Sequence, residues 1–147
     1  MRPTQGSQVE GIVIFSQVEG KIEIYARLKG LPAGTRHGFH VHEFGDCSAA
    51  DGSSAGAHYD PTMNMPGMHQ HGMRPLGDLE DLSASETGTV EVRFSAPGLS
   101  IAGAENAILG RGILLHESFA DPNDPMSSSG SAIACGTIGV YNAVRGE

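Results

Sequence analysis

An apolar residue stands at every second position of residues 21–28, KIEIYARL. Successive side chains of a β-strand point to opposite faces, so this alternation predicts a strand with one buried face. Further strands are predicted at residues 12–15, 38–44, 89–94, 108–109, 113–116 and 132–140. No segment has the period of a helix longer than one turn, and the sequence therefore predicts an all-β fold.

The composition supports many short strands joined by turns. The chain has 21 Gly, 8 Pro and no Trp, and only 18% of its residues are charged, which disfavours a helical bundle. A length of 147 residues fits one domain over residues 1–147. Within it, residues 1–8 are polar and contain a proline, and we expect them to be irregular or disordered.

The charge distribution restricts the partners. The net charge is −8 and there are no runs of Lys or Arg, which argues against nucleic acid or a membrane surface as a partner. No apolar stretch approaches the roughly 18 residues of a membrane span. The first residues lack the apolar core of a signal peptide, which fits either a processed chain or a protein that stays in the cell.

Four histidines suggest a metal site. His40 and His42 lie two residues apart in a predicted strand, so their side chains share a face about 7 Å apart along the chain. His58 and His116 follow downstream. Four imidazoles are enough ligands for a copper ion.

The two cysteines, Cys47 and Cys135, lie 88 residues apart and outside any CxxC pattern. A disulfide is more natural than a zinc or redox pair, and it would contribute roughly 3 to 5 kcal/mol in the chain-entropy model. Two buried free thiols are the alternative.

A long segment rich in Gly, Ser and Met spans residues 45–75, which is too long for a passive connection in a compact domain. Within it, residues 63–73 carry four thioethers and two imidazoles, those of Met63, Met65, Met68, Met73, His69 and His71. Such a mixture favours Cu(I) and would suit the loading, storage or transfer of copper. The alternative is a surface loop whose methionines pack on the barrel or stay exposed.

Five segments together resemble the copper/zinc superoxide dismutase family. They are residues 38–46, 54–61, 76–79, 110–117 and 134–139. The resemblance runs in order from about residue 10 to 140 and implies a Greek-key β-barrel or sandwich with two long loops over the metal site. Cys47 resembles the cysteine of the bacterial, usually periplasmic branch, which implies a bridge to Cys135. The resemblance to that branch also implies a periplasmic or secreted location, and a cytoplasmic location is the alternative.

The resemblance also implies the site. The family's copper ligands fall on His40, His42, His58 and His116. His58 would bridge copper to zinc and carry the proton while superoxide is disproportionated to oxygen and hydrogen peroxide. His37 matches a histidine that holds the backbone, with a solvent-facing role as the alternative.

The zinc ligands depart from the family pattern. Pro66 and Pro75 stand where the family has two zinc histidines, although the aspartate is retained as Asp78. A shifted loop could still bring His69 and His71 to a zinc ion with His58 and Asp78. A copper-only protein is the favoured interpretation.

The substrate-docking cation also departs from the pattern. Ala132 stands where the family has an arginine beside copper, and no Lys or Arg lies between His116 and Cys135. That loop carries Glu117, Asp121 and Asp124 instead. Weak steering of the superoxide anion is expected, and we therefore predict slow or salt-insensitive dismutation.

The third departure is at the N-terminus, where residues 1–10 replace the family's first strand. The sheet would then have an unpaired edge, which a homodimer or residues 141–147 could cover.

The matches and the departures together leave two candidate functions: a copper-dependent superoxide dismutase, and a dismutase-like protein that binds copper for buffering or delivery with little turnover. A metal-free structural domain would require four convergent histidines by coincidence.

Overall fold

The computed structural model describes residues 1–61, 75–103, 105–121, 123–124 and 126–141. The strands are β1 (Arg2–Pro3), β2 (Glu10–Val18), β3 (Lys21–Lys29), β4 (Arg36–His37), β5 (Phe39–His42), β6 (Leu82–Ser83), β7 (Val90–Ala96), β8 (Gly112–His116) and β9 (Ala132–Thr137). One 3-10 turn spans Ser53–Ala55, and no α-helix occurs in the part of the chain that is described. The all-β prediction is confirmed.

The strands form two main antiparallel sheets. One sheet has the order β2-β3-β7 and the other β1-β9-β8-β5, while β4 and β6 make a small third pair. β2 and β3 are joined by a two-residue turn at Glu19 and Gly20, which both have positive φ, 49° and 80°. A turn with two left-handed residues matches the twist of the flanking strands, and glycine adopts this conformation at little cost.

The core confirms the alternation in β3. Ile22, Ile24, Ala26 and Leu28 are at most 2% exposed, whereas the intervening residues point outward. They belong to one apolar cluster with residues of β5, β7, β8 and β9, among them Phe39, Val41, Val90, Ile113, Leu115 and Ala134. Phe39 and Val41 alternate with the two histidines of β5 and pack into this cluster, which leaves His40 and His42 on the opposite face of the strand. The predicted Greek-key sandwich is thus the scaffold of the histidines.

The N-terminal strand is short rather than absent. Arg2 and Pro3 pair with Cys135 and Ala134 of β9, and the Met1 amino group donates to the Gly11 carbonyl at 2.7 Å. We expected the first strand to be missing and residues 1–8 to be irregular. Both expectations are wrong at Arg2 and Pro3, which form a short strand. Side-chain pattern gave no signal there, because main-chain pairing alone defines so short a strand.

Beyond β1, an apolar groove of about 430 Å³ lies between β2 and the end of β9. Ile12, Phe15, Ile113 and Ile138 contribute to its lining, as does Tyr141. Of residues 141–147, predicted as one cover for this edge, only Tyr141 lies in the described part of the chain. Homodimer formation stays a prediction.

The two cysteines form a disulfide with a Cα–Cα distance of 5.9 Å. The bridge is confirmed, and the alternative of two free thiols is wrong. The bridge ties the loop after β5 to β9 and joins residues that are 88 positions apart. Its expected contribution to stability is about 4 to 5 kcal/mol in the chain-entropy model.

No helix in the described residues is long and apolar enough to cross a membrane.

Candidate metal centre

Four histidines converge on one side of the second sheet. His40 and His42 lie on β5, His116 ends β8, and His58 follows the 3-10 turn. β5 and β8 pair in register, and His42 forms an isolated bridge with His58. Each histidine offers one nitrogen that lies within 4.8 Å of the others. Of the groups of His, Cys, Asp and Glu in the described residues, these four form the one that could hold a metal ion.

Main-chain carbonyls orient two of the imidazoles. The Nδ1 of His42 lies 2.8 Å from the Gly56 oxygen, and the Nδ1 of His116 lies 2.9 Å from the Gly130 oxygen. A carbonyl can only accept, so each Nδ1 carries the proton and each Nε2 keeps a lone pair. Those two Nε2 atoms lie 3.3 Å apart. Two lone pairs facing each other at this distance favour a cation between them, and the donor set therefore fits a metal ion.

Burial keeps these imidazoles neutral. Removal from water lowers the pKa of His42 from 6.5 to about 4 and also lowers the pKa of His116. Both effects arise chiefly because a buried imidazolium loses its hydration. Neutral imidazole is the form that binds a metal, so the site is prepared for an ion at neutral pH.

The depressed pKa of His42 predicts an acid-sensitive metal-free protein. In the unfolded chain His42 takes up a proton near pH 6.5, whereas in the folded chain it does so only near pH 4. The free energy of unfolding is therefore highest above the pKa of His42 in the unfolded chain. It decreases as the pH falls from that value through the pKa of His42 in the folded chain. We expect the urea midpoint of the chelator-treated protein to fall between pH 7 and pH 4.5. The His42→Gln variant should show a smaller fall, and an equal fall in both proteins would contradict this assignment.

His58 is the most accessible of the four imidazoles. Its side chain is 34% exposed, compared with 5% for the residue at His40 and at His42. Its Nδ1 lies 2.8 Å from Oδ1 of Asp78, and its ring stacks on that of His40 with 4.0 Å between centroids. The carboxylate accepts from Nδ1–H, which leaves Nε2 for the cluster.

Backbone contacts with β5 place both members of this pair. The Tyr59 amide donates to the Val41 carbonyl, and the Gly77 amide donates to the Tyr59 carbonyl. A Cβ on Gly77 would lie 2.6 Å from the Tyr59 oxygen and 2.7 Å from the Val41 oxygen, closer than side chains come. Gly77 therefore permits the approach of the strand-like segment that carries Asp78. Sequence reasoning missed this role, although a glycine directly before a retained aspartate was a signal for it.

His37 supports the site without joining it. It is 1% exposed, and its Nδ1 lies 2.8 Å from the carbonyl oxygen of His116. Its Nε2 lies 2.6 Å from the Thr35 hydroxyl. The prediction that this histidine holds the backbone is confirmed, and the solvent-facing alternative is wrong.

The predicted zinc set is only partly within the described residues. His58 and Asp78 are in direct contact. His69 and His71 lie outside the described part of the chain, as do Met63, Met65, Met68 and Met73 of the proposed Cu(I) segment. Zinc and the Cu(I) segment therefore stay predictions.

The described residues around the cluster offer little positive charge. Ala132 lies directly opposite His116 in the β8–β9 pairing. Two arginines that precede ligand-bearing strands are already held by other groups. Arg36 pairs with Asp81 at 2.8 Å, and Arg111 stacks over Tyr59 and donates to the Glu43 carbonyl.

Comparison with known proteins agrees with this geometry. Residues 9–138 match the family model described as copper/zinc superoxide dismutase. The chain is 35% identical to the extracellular superoxide dismutase [Cu-Zn] of Drosophila melanogaster, over 93% of this chain and 79% of the relative. It is 34% identical to the superoxide dismutase [Cu-Zn] of Schizosaccharomyces pombe, over 91% and 92% of the two chains. Superoxide dismutase [Cu-Zn] A of Xenopus laevis is 35% identical over 89% of each chain.

Proposed function

Because the chain belongs to the copper/zinc superoxide dismutase family, we propose that it is a copper-dependent superoxide dismutase. Two superoxide ions and two protons would yield one oxygen and one hydrogen peroxide. The observation that carries this proposal is the convergence of His40, His42, His58 and His116, with nitrogens within 4.8 Å of one another.

Copper fits this donor set better than a hard cation would. Imidazole suits copper, whereas carboxylates and carbonyls suit Mg²⁺ and Ca²⁺. Copper, when bound, supplies the one-electron oxidation and reduction. The protein would hold it with the Nε2 atoms of His42 and His116, whose orientation the Gly56 and Gly130 carbonyls fix. Their buried position keeps both groups neutral and ready to bind.

His58 is the proposed proton carrier. It is the most exposed of the four ligands, with 34% of its side chain accessible, so its Nε2 can exchange a proton with water. The Asp78 carboxylate holds Nδ1 meanwhile, and the ring keeps its direction. His58 is thus the catalytic histidine of the proposal.

Steering of superoxide is proposed to be weak. Ala132 gives no cation opposite His116, and Glu117, Asp121 and Asp124 are exposed in the following loop. A positive patch at the mouth of a site raises the encounter rate of an anion by ten-fold to a thousand-fold. The absence of basic residues from that loop, visible in the sequence, removes this advantage.

A copper-binding protein without turnover is the second candidate. The alanine at position 132 favours it, since a carrier needs no docking cation. The Met- and His-rich stretch of residues 63–73 also favours it, because thioethers bind Cu(I). Such a protein would buffer or deliver copper with the same four histidines.

The two candidates are separated by dismutation measured per bound copper. We expect one copper per chain, superoxide consumption in proportion to copper occupancy, and loss of activity after copper is removed with a chelator. The rate should change little between 20 and 200 mM salt, because steering is weak. Tight binding of one copper without superoxide consumption would favour the carrier instead.

Location and assembly are proposed on separate grounds. The Cys47–Cys135 disulfide supports a periplasmic or secreted protein, since such bonds persist in oxidising compartments; a cytoplasmic protein is the alternative.

Exposed apolar residues border the groove beside β2, and this surface would suit the interface of a homodimer. They are Ile12, Leu109, Val140 and Tyr141.

A further inference from the structure

A glutamate directly follows each of two candidate metal ligands. Glu43 follows His42, and Glu117 follows His116. Neither glutamate belongs to the group of four residues that could hold an ion. We propose that Glu43 and Glu117 are positioning residues, each of which orients the histidine before it through a single peptide group. The inference deepens the proposed function, since it rests on His42 and His116 serving as metal ligands.

The first of these peptide groups joins Gly56 to Ala57. Its carbonyl accepts the Nδ1 proton of His42 at 2.8 Å, and its amide donates to Oε1 of Glu43, also at 2.8 Å. A peptide group is planar, so a contact that fixes the direction of its N–H also fixes the direction of its C=O. The Glu43 carboxylate therefore helps to determine where the acceptor of the His42 ring lies.

The second peptide group, between Gly130 and Ser131, repeats the arrangement. Its carbonyl accepts the Nδ1 proton of His116 at 2.9 Å, and its amide donates to Oε1 of Glu117 at 3.2 Å. In both cases the glycine lies 14 residues after its histidine, and the donating amide lies 14 residues after its glutamate. Two loops of different sequence thus make the same set of contacts.

The main chain holds each glutamate beside its peptide group. The Glu43 amide donates to the Ala57 carbonyl at 2.9 Å. The Glu117 amide donates in the same way to the Ser131 carbonyl, also at 2.9 Å. The two glycines share a positive φ, 77° and 76°, and a Cβ on either one would meet the neighbouring carboxylate. The absence of a side chain at both glycines therefore leaves room for the carboxylates.

A carboxylate in this position also strengthens the hydrogen bond on the imidazole. Hydrogen bonds in a chain polarise one another, so a peptide group whose N–H donates to a carboxylate has a carbonyl that accepts more strongly. A stronger acceptor for Nδ1–H makes the metal-binding Nε2 more basic. Glu43 should have the larger effect, because its bond to the amide is the shorter one and its side chain is half-buried, whereas Glu117 is exposed.

The first readout is the NMR spectrum of the metal-free protein, in which the Nδ1–H protons of His42 and His116 are observed. We expect Glu43→Ala to shift the His42 signal and to speed its exchange with water roughly ten-fold, while the His116 signal stays unchanged. Glu117→Ala should show the reverse, with a smaller effect. Each variant is thus a control for the other, and Glu86→Ala, in the exposed turn between β6 and β7, is the control for both.

The second readout is copper affinity in a competition titration, beside the Cu(II) EPR spectrum. We expect roughly a ten-fold loss of affinity and an altered spectrum in Glu43→Ala, and a smaller loss in Glu117→Ala. The Glu43→Gln and Glu117→Gln variants keep an oxygen that can accept the amide proton, and they should stay within about three-fold of the parent.

Three results would overturn the positioning role. One is unchanged Nδ1–H exchange in both alanine variants. Another is an equal change at both histidines in each variant, which would indicate general loosening. The third is a glutamine variant as impaired as the alanine variant, which would mean that charge alone acts. The NMR readout uses neither metal nor superoxide, so a parent without copper binding or dismutation would remove the proposed function and leave the positioning role intact if the signals change as expected.

Discussion

Replacement of His116 by glutamine is expected to eliminate copper-dependent dismutation. Glutamine has a similar length and a neutral, polar side chain. It removes, however, the Nε2 that lies 3.3 Å from Nε2 of His42. Loss of an outer hydrogen-bond partner costs roughly 10- to 100-fold in metal affinity, and loss of a direct ligand should cost more. Activity and bound copper should be measured on the same samples.

The matched control is His37→Gln. His37 is also a buried histidine, but it contacts the His116 carbonyl rather than the cluster. We expect a less stable protein that still binds one copper per chain. Full copper occupancy and full activity in His116→Gln would mean that the ion is held elsewhere, and the four-histidine centre would then be wrong.

Installation of arginine at position 132 is expected to raise kcat/KM for superoxide by roughly ten-fold or more at low ionic strength. Ala132 lies opposite His116 in register, and opposed side chains on paired strands lie about 5 Å apart. A guanidinium there would attract the anion to the edge of the copper site. The gain should shrink as salt is added, because an exposed charge is screened over about 10 Å at 0.1 M.

Two further substitutions control for side-chain size and sign of charge. Ala132→Gln adds length without charge and should leave kcat/KM near that of the parent, whereas Ala132→Glu should lower it. The bound copper should be equal in all four proteins. An equal rise in the glutamine and arginine variants, or a rise that salt does not affect, would refute the electrostatic explanation.

The histidine strand and the disulfide could be predicted from the sequence for different reasons. His40 and His42 share a face because a strand has a period of two, which is a local property. The burial of Phe39 and Val41 on the other face follows from the same period. The disulfide, in contrast, was favoured because the chain has only two cysteines and they lie outside any CxxC pattern, and the resemblance of Cys47 to a family position supported the pairing.

The contacts that orient the imidazoles could not be predicted in the same way. The carbonyls of Gly56 and Gly130 accept from His42 and His116, and each is 14 residues from its partner in sequence. Any residue has a carbonyl, so side-chain identity carries no signal for such a bond. The short pairing of Arg2–Pro3 with β9 escaped prediction for the same reason, because only the main chain specifies it.

Asp78 illustrates an intermediate case. Its resemblance to a zinc ligand drew attention to the position, but the bond to His58 depends on how closely two loops approach β5. That approach requires Gly77, whose absent side chain leaves room beside the Tyr59 and Val41 carbonyls. A sequence gives the identity of such a glycine but not the atoms that surround it.

The unequal burial of the four imidazoles has a consequence for metal exchange. His40 and His42 lie in a paired strand and His116 ends another, whereas His58 stands between elements and is partly open to water. Displacement of His58 would be local and would leave the sheets paired, so we expect a metal ion to enter and leave without global unfolding. If copper is that ion, its supply, rather than repeated folding, would determine how many folded molecules are loaded.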